Sequence, residues 1–126
     1  MQNIDLTQKM ILVTGAAGFI GANLVKKLLS EHDAKRIVGI DNMNDYYDVS
    51  LKEYRLHELE MIAQTAKSEW SFLRGDIADK KIIDEFFHTY RPDIVVNLAA
   101  QAGVRYSITH PGVYIESNLI GFYNIL

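Results

Sequence analysis

Glycine recurs at every third position in Thr14-Gly15-Ala16-Ala17-Gly18-Phe19-Ile20-Gly21, directly after a short β-branched run and directly before a helical-period one. A turn of that composition between a strand and a helix is suited to holding a pyrophosphate. Gly15 allows the tight turn, Gly18 lets backbone approach the anion with no Cβ in the way, and Gly21 lets the helix lie close to the sheet. The helix start adds unpaired N–H groups and the positive end of its dipole. Ala17, Phe19 and Ile20 share this turn and are expected to line it.

Asp41 ends the second apolar run, twenty residues beyond Gly21. An acid at that spacing suits the adenosine ribose of a dinucleotide, since a carboxylate accepts two hydroxyl hydrogen bonds and repels a 2′-phosphate. The following Asn42 and Met43 bring no cation to neutralise such a phosphate, so NAD is expected over NADP. Asp76 and Ile77, after the third run, can hold the adenine, although Asp76 serves equally well as a loop or helix-capping acid. Leu98-Ala99-Ala100-Gln101 closes the fourth run with small residues that leave room for a ligand, and Ala pairs are also ordinary core filler. Asn118 falls inside the last helix, where a buried amide fixes neighbouring backbone rather than touching ligand. Arg105 is placed to pair with a carboxylate or phosphate, or to form a surface salt bridge.

The elements that must position these residues alternate between short β-branched runs and longer helical ones, the pattern of repeated βα units. Strands are expected at Met10 to Thr14, Arg36 to Asp41, Trp70 to Arg74 and Asp93 to Leu98, each apolar enough to be buried on both faces of a parallel sheet. Phe19, Ile20, Leu24, Val25, Leu28 and Leu29 share one helix face, and Ile82, Ile83, Phe86, Phe87 and Tyr90 another. A third helix is expected from Leu51 to Ala66, after a loop over Asn42 to Ser50. Asp79 is an N-cap, and Pro111 suits the first turn of a last helix that His110 leads into.

The sum is one α/β domain over residues 1–126, a doubly wound Rossmann-like parallel sheet of about four βα units in spatial order 3-2-1-4. With 48% hydrophobic residues and no Cys, it relies on packing, and thiolate metal sites and thiol nucleophiles are excluded. His32, His57, His88 and His110 show no metal spacing, so no metal is expected. Thirteen Lys plus Arg against sixteen Asp plus Glu give a net charge of -3, which offers nucleic acid no footprint. The basic pairs Lys26-Lys27, Lys35-Arg36 and Lys80-Lys81 read as solvated faces. No run is long enough to span a membrane, and Met1 to Lys9 lacks the order of a signal peptide, so a cytoplasmic protein is expected.

Taken together, ILVTGAAGFIG, GIDNMNDYYDVSLKEYRLHEL, FLRGDIAD, PDIVVNLAAQAGVRYSITHP and YIESNLIGFYNIL resemble the nucleotide-sugar epimerases and dehydratases of the extended short-chain dehydrogenase family. DNMNDYYDVSLK and AAQAGVRYS are most similar to UDP-glucuronate 4-epimerases of polysaccharide synthesis. The resemblance implies that Gly15, Gly18 and Gly21 cradle the NAD pyrophosphate, and that Asp41 and Asn42 hold the ribose. Asp76 and Ile77 then meet the adenine, while Ala99, Ala100 and Gln101 line the nicotinamide side. Val104, Arg105 and Ser107 are implied to border the sugar of a UDP-hexuronate or UDP-hexose. It implies also that bound NAD takes hydride from C4 of the sugar and returns it to the opposite face.

Members of this family use a Tyr-x-x-x-Lys pair as the general base. None of the seven tyrosines here has a Lys four residues on, so no catalytic residue is assigned within this chain. The expectation is the N-terminal part of an epimerase, inactive alone, cut while an apolar helical pattern is still running. A dehydratase or decarboxylase of the same family is a near variant, and a non-catalytic dinucleotide-sensing module is the alternative from another class. The fourth strand is expected to be an open sheet edge, and with the last helix to favour a homodimer or self-association.

Overall fold

The computed structural model describes residues 5–45, 48–100 and 108–126. In chain order the elements are β1 (Met10–Thr14), α1 (Phe19–Glu31), β2 (Arg36–Asp41), α2 (Val49–Ala63), β3 (Glu69–Arg74), α3 (Lys80–Tyr90) and β4 (Ile94–Asn97). A last helix follows as α4 (Pro111–Tyr114), a π-helical segment (Ile115–Gly121) and α5 (Phe122–Ile125). Among the described residues no helix is long and apolar enough to cross a membrane.

All strand pairs are parallel and the spatial order is β3-β2-β1-β4. In register, Thr14 lies opposite Ile40 on one side and Asn97 on the other, and Asp41 lies opposite Arg74. Chain order therefore reverses between β1 and β4, and that switch point opens a crevice beyond the carboxyl ends of the strands.

Strand alternation divides the core in two. Ile11, Val13 and Ile37 face α1 and α2, where they meet Val25, Leu28, Leu29 and Leu59. Leu12, Val38 and Ile40 face the other way onto Ile77, Ile83 and Phe86, with Ile125 of the last helix packed alongside. The expectation of four fully buried strands holds only for the central pair. β3 and β4 are edges and half-buried, with Val95 still 37% exposed, because an edge strand lacks a neighbour to complete its cover.

Element limits moved for local reasons. β3 starts at Glu69, whose carboxylate pairs with Arg36 at 2.9 Å across the strand pair. β4 is shorter than Asp93 to Leu98, because the Leu98 N–H turns to the Thr14 hydroxyl at 2.9 Å. α2 starts before Leu51, where Asp48 accepts from the Ser50 N–H at 2.9 Å, and it gives way to turns at Thr65 and Ala66. α3 has the expected cap, with Asp79 accepting from the Ile82 N–H at 3.3 Å.

Two side-chain expectations fail. Phe19 and Ile20 do not join the buried face of α1 but stand 71% and 68% exposed, since the first helical turn projects past the sheet end. Asn118 is exposed, not buried. A half-buried amide of the last helix is Asn124, donating to the Ile77 carbonyl at 2.9 Å, and Gly121 packs so closely that a Cβ there would lie 2.6 Å from Ile77 Cδ1. Lys26-Lys27 and Lys80-Lys81 are solvated as expected, with Lys26 on Glu58 at 3.2 Å and Lys80 on Asp84 at 2.6 Å, whereas Arg36 of the third pair is half-buried between Glu69 and the Tyr90 ring.

Candidate functional site

The β1–α1 turn is held by its own backbone. Gly15 takes φ +69, a left-handed conformation that disfavours a side chain, and its N–H donates to the Ile40 carbonyl at 2.8 Å. A Cβ on Gly21 would lie 2.1 Å from the Gly15 carbonyl oxygen. That residue is glycine to close the turn on itself, not to bring the helix against the sheet as its position in the motif suggests. α1 begins with Gly18 as N-cap and no side chain over its end, so the first N–H groups face the crevice.

Thr14 ties the turn to the fourth strand. Its buried hydroxyl donates to Asn97 Oδ1 and accepts from the Leu98 and Ala99 N–H groups at 2.9 and 3.0 Å. This one side chain sets the separation of the two strand ends between which the chain reverses order.

Asp41 is 7% exposed, and its two carboxylate oxygens are used separately. Oδ2 accepts from the Ala17 N–H at 3.1 Å and Oδ1 from the Met43 N–H at 2.8 Å, which leaves lone pairs on both for a further donor. Met43 sits at φ 58, and its bond to Asp41 offsets part of the strain a bulky residue meets there. Asn42 accepts from the Asn44 N–H at 3.0 Å, turning the chain away from the strand end.

Around these lies a cleft of about 450 Å³. It brings together Gly15, Gly18, Phe19, Ile20, Gly21, Asp41, Asn42, Asp76, Ile77, Leu98, Ala99 and Ala100, all expected from the sequence. Ala17 is not part of the lining: it is fully buried, and its N–H is spent on Asp41. Gln101, Val104, Arg105 and Ser107 lie outside the described residues. Asp76 lines the cleft, and its carboxylate accepts from the Ala78 N–H at 2.9 Å in the loop ahead of α3.

The sequence pattern announces α2 as a helix but not its part in the site. Lys52 is buried in the cleft wall, its ammonium 3.4 Å from Asp41 Oδ1 and 3.3 Å from Asn44 Oδ1. Arg55, one turn on, donates to the Ala17 carbonyl at 3.2 Å and lies over the Phe19 ring. The cation absent from the loop after β2 is thus supplied from the next helix. A signal existed: Lys52, Arg55, Leu56 and Leu59 follow the spacing of one helical face, so a buried Leu59 draws Lys52 inward. Ser117 of the π-helical segment closes the far side of the cleft, and a seven-residue π segment has no sequence signature that would have announced it.

α2 depends on its first turn for this placement. The Asp48 carboxyl is held below its usual range by the Ser50 hydroxyl and then by the Ser50 N–H, both donating to the carboxylate.

Residues 12–126 match the family described as GDP-mannose 4,6 dehydratase. The chain is 47% identical over 116 residues to Protein CapI of Staphylococcus aureus, covering 92% of this chain and 32% of that protein. It is 46% identical over 116 residues to the UDP-glucuronate 4-epimerase of Thermodesulfobacterium geofontis, covering 91% and 33%. The chain therefore spans about a third of the length of these curated relatives. Among solved structures, the UDP-glucose 4-epimerase of Thermus thermophilus in complex with NAD superposes with a TM-score of 0.69 at 32% identity, over 92% of this chain and 32% of that one.

Proposed function

The chain belongs to the GDP-mannose 4,6 dehydratase family of nucleotide-sugar epimerases and dehydratases, and from that premise we propose that it is the NAD-binding portion of a 4-epimerase of the UDP-glucuronate kind. The observation that carries this reading is the cleft at the β1/β4 switch point, with the glycine turn on one wall and buried Asp41 on another. The similarity to UDP-glucuronate 4-epimerases supports the choice of sugar class.

The residues present fit the dinucleotide. A Cβ on Gly15 would come within 3.0 Å of Ala99 N, so the turn approaches the strand end as a cradle with no side chain in it. The α1 N-terminus offers backbone N–H groups to the pyrophosphate at Phe19, Ile20 and Gly21, while Gly18, whose own N–H donates to the Gly15 carbonyl at 3.1 Å, keeps the approach clear of a side chain. Asp41, with a lone pair left on Oδ2 and only the long Lys52 contact beside the Met43 N–H on Oδ1, accepts the ribose hydroxyls, and Asn42 stands beside it. Asp76 and Ile77 take the adenine, while Leu98, Ala99 and Ala100 leave the flat space the nicotinamide needs. Gln101, and Val104, Arg105 and Ser107 toward the sugar, extend this lining in the proposal.

Bound NAD supplies a hydride acceptor for C4 of the sugar and a donor for the return to the opposite face. The chain's own part is to bind and orient. No Tyr-x-x-x-Lys occurs in the 126 residues, so proton transfer at the sugar hydroxyl has no base here and the chain alone is inactive in this reading. The last helix, with Leu119 and Tyr123 exposed, is proposed as a surface for a homodimer. Sedimentation that stays monomeric at all concentrations would remove that part.

Calorimetric titration of the 126-residue chain with NAD+, beside an assay of UDP-glucuronate epimerisation, tests the whole. Saturable NAD+ binding without turnover is expected. Absence of binding overturns the half-site, and turnover overturns the assignment of the base to residues outside this chain.

A further inference from the structure

The cleft wall carries two cations that the reading above does not use. Its described lining holds two carboxylates, Asp41 and Asp76, and two basic groups, Lys52 and Arg55. Asp76 is engaged with the Ala78 N–H, so Asp41 is the acid that Lys52 meets. The two contacts of the Lys52 ammonium, 3.4 and 3.3 Å, are long beside the ordinary length of a charge-assisted hydrogen bond. Among the described residues its third proton has no acceptor. Arg55 spends one nitrogen on the Ala17 carbonyl, and Ala17 in turn donates to Asp41, so Lys52 meets the carboxylate directly and Arg55 is linked to it through the turn.

A buried ammonium held this loosely gains most from an anion that brings several acceptors. If Asp41 receives the adenosine ribose, Lys52, 3.4 Å from Oδ1, stands within reach of a phosphate carried on that ribose. We propose that Lys52 and Arg55 form a latent 2′-phosphate site masked by the Asp41 carboxylate. Charge balance at Asp41, rather than lack of a cation, then sets how strongly NADP is refused. The inference rests on the NAD-binding reading and deepens it.

The test is equilibrium binding of NAD+ and NADP+ to the 126-residue chain, native and as D41N, D41N/K52M and K52M, with circular dichroism to check folding. D41N raises NADP+ affinity about tenfold or more, and adding K52M cancels the gain. D41N keeps one acceptor oxygen, so either the Ala17 or the Met43 N–H loses its partner, and D41S is run beside it as a smaller replacement that opens more room. K52M alone keeps both backbone bonds of Asp41 and lowers NADP+ affinity about tenfold more than NAD+ affinity. Unchanged NADP+ affinity in the Asp41 variants, or equal losses for both dinucleotides in K52M, overturns the latent site while NAD+ binding to the native chain still stands. If the native chain binds neither dinucleotide, the reading beneath fails and takes the inference with it.

Discussion

A methyl group added at Gly21 would lie 2.1 Å from the Gly15 carbonyl oxygen, whereas one added at Gly112 would meet nothing within 4 Å. The two glycines stand in the two helices that border the cleft, α1 and the last helix. In the β1–α1 turn, backbone packs on backbone: Gly15 bonds to Ile40, Ala17 to Asp41, and Thr14 to both residues that follow β4. In the last helix Asn124 bonds to the Ile77 carbonyl and Gly121 approaches Ile77 closely, while Leu119, Phe122 and Tyr123 remain exposed. A ligand site needs the first kind of construction where geometry must not vary. It tolerates the second where a surface awaits a neighbour.

Substitution at the turn should break that contrast most sharply. Gly21→Ala forces the Gly15 carbonyl to move and should cost about 3 kcal/mol or more, with loss of NAD+ binding, as read by thermal unfolding and titration. Thr14→Val keeps the shape but leaves two N–H groups and the Asn97 oxygen without their partner. A loss of about 2–3 kcal/mol is expected in denaturant unfolding. Asn124→Ala removes the bond from the last helix to Ile77 and should cost about 1 kcal/mol, with faster hydrogen exchange confined to that helix. The same substitution slowing exchange nowhere but raising it across the sheet would mean that the two regions unfold as one.

Acid should act on the start of α2. Hydrogen bonds from Ser50 lower the Asp48 carboxyl in the folded chain, so its contribution is complete above the unfolded value of roughly 4 and is lost as pH falls through the lower folded value. Amide exchange at the start of α2 should therefore quicken on acidification, and D48N should flatten that dependence. Gly112→Ala closes the series. It lies in a helix with free space around it and should be neutral or stabilise by about 0.5–1 kcal/mol, seen as a small rise in Tm.

Much of the architecture was legible because it depends on short-range pattern. The β-branched runs that become β1 and β2 need burial on both faces, and their observed limits coincide with the expected ones. The spatial order follows from βα connections of one hand about a switch point. Gly15 was readable because a left-handed turn demands it, and Asp41 because its spacing from the glycines is set by the length of α1 and the strand after it. At the edges pattern was a weaker guide. β4 stops where Thr14 captures the Leu98 N–H, a contact between residues 84 positions apart that no local window contains.

By itself the sequence determined the glycine turn, the acid at the end of β2 and the parallel order of the strands, since each follows from backbone sterics or from periodicity along the chain. Only the tertiary structure decided that Ala17 faces inward to Asp41, that Phe19 and Ile20 are exposed, and that Lys52 lies against the carboxylate. The reason is physical. Burial and charge pairing are sums over elements that meet in space, and α2 reaches Asp41 only after the sheet and α1 have fixed where its inward face must lie.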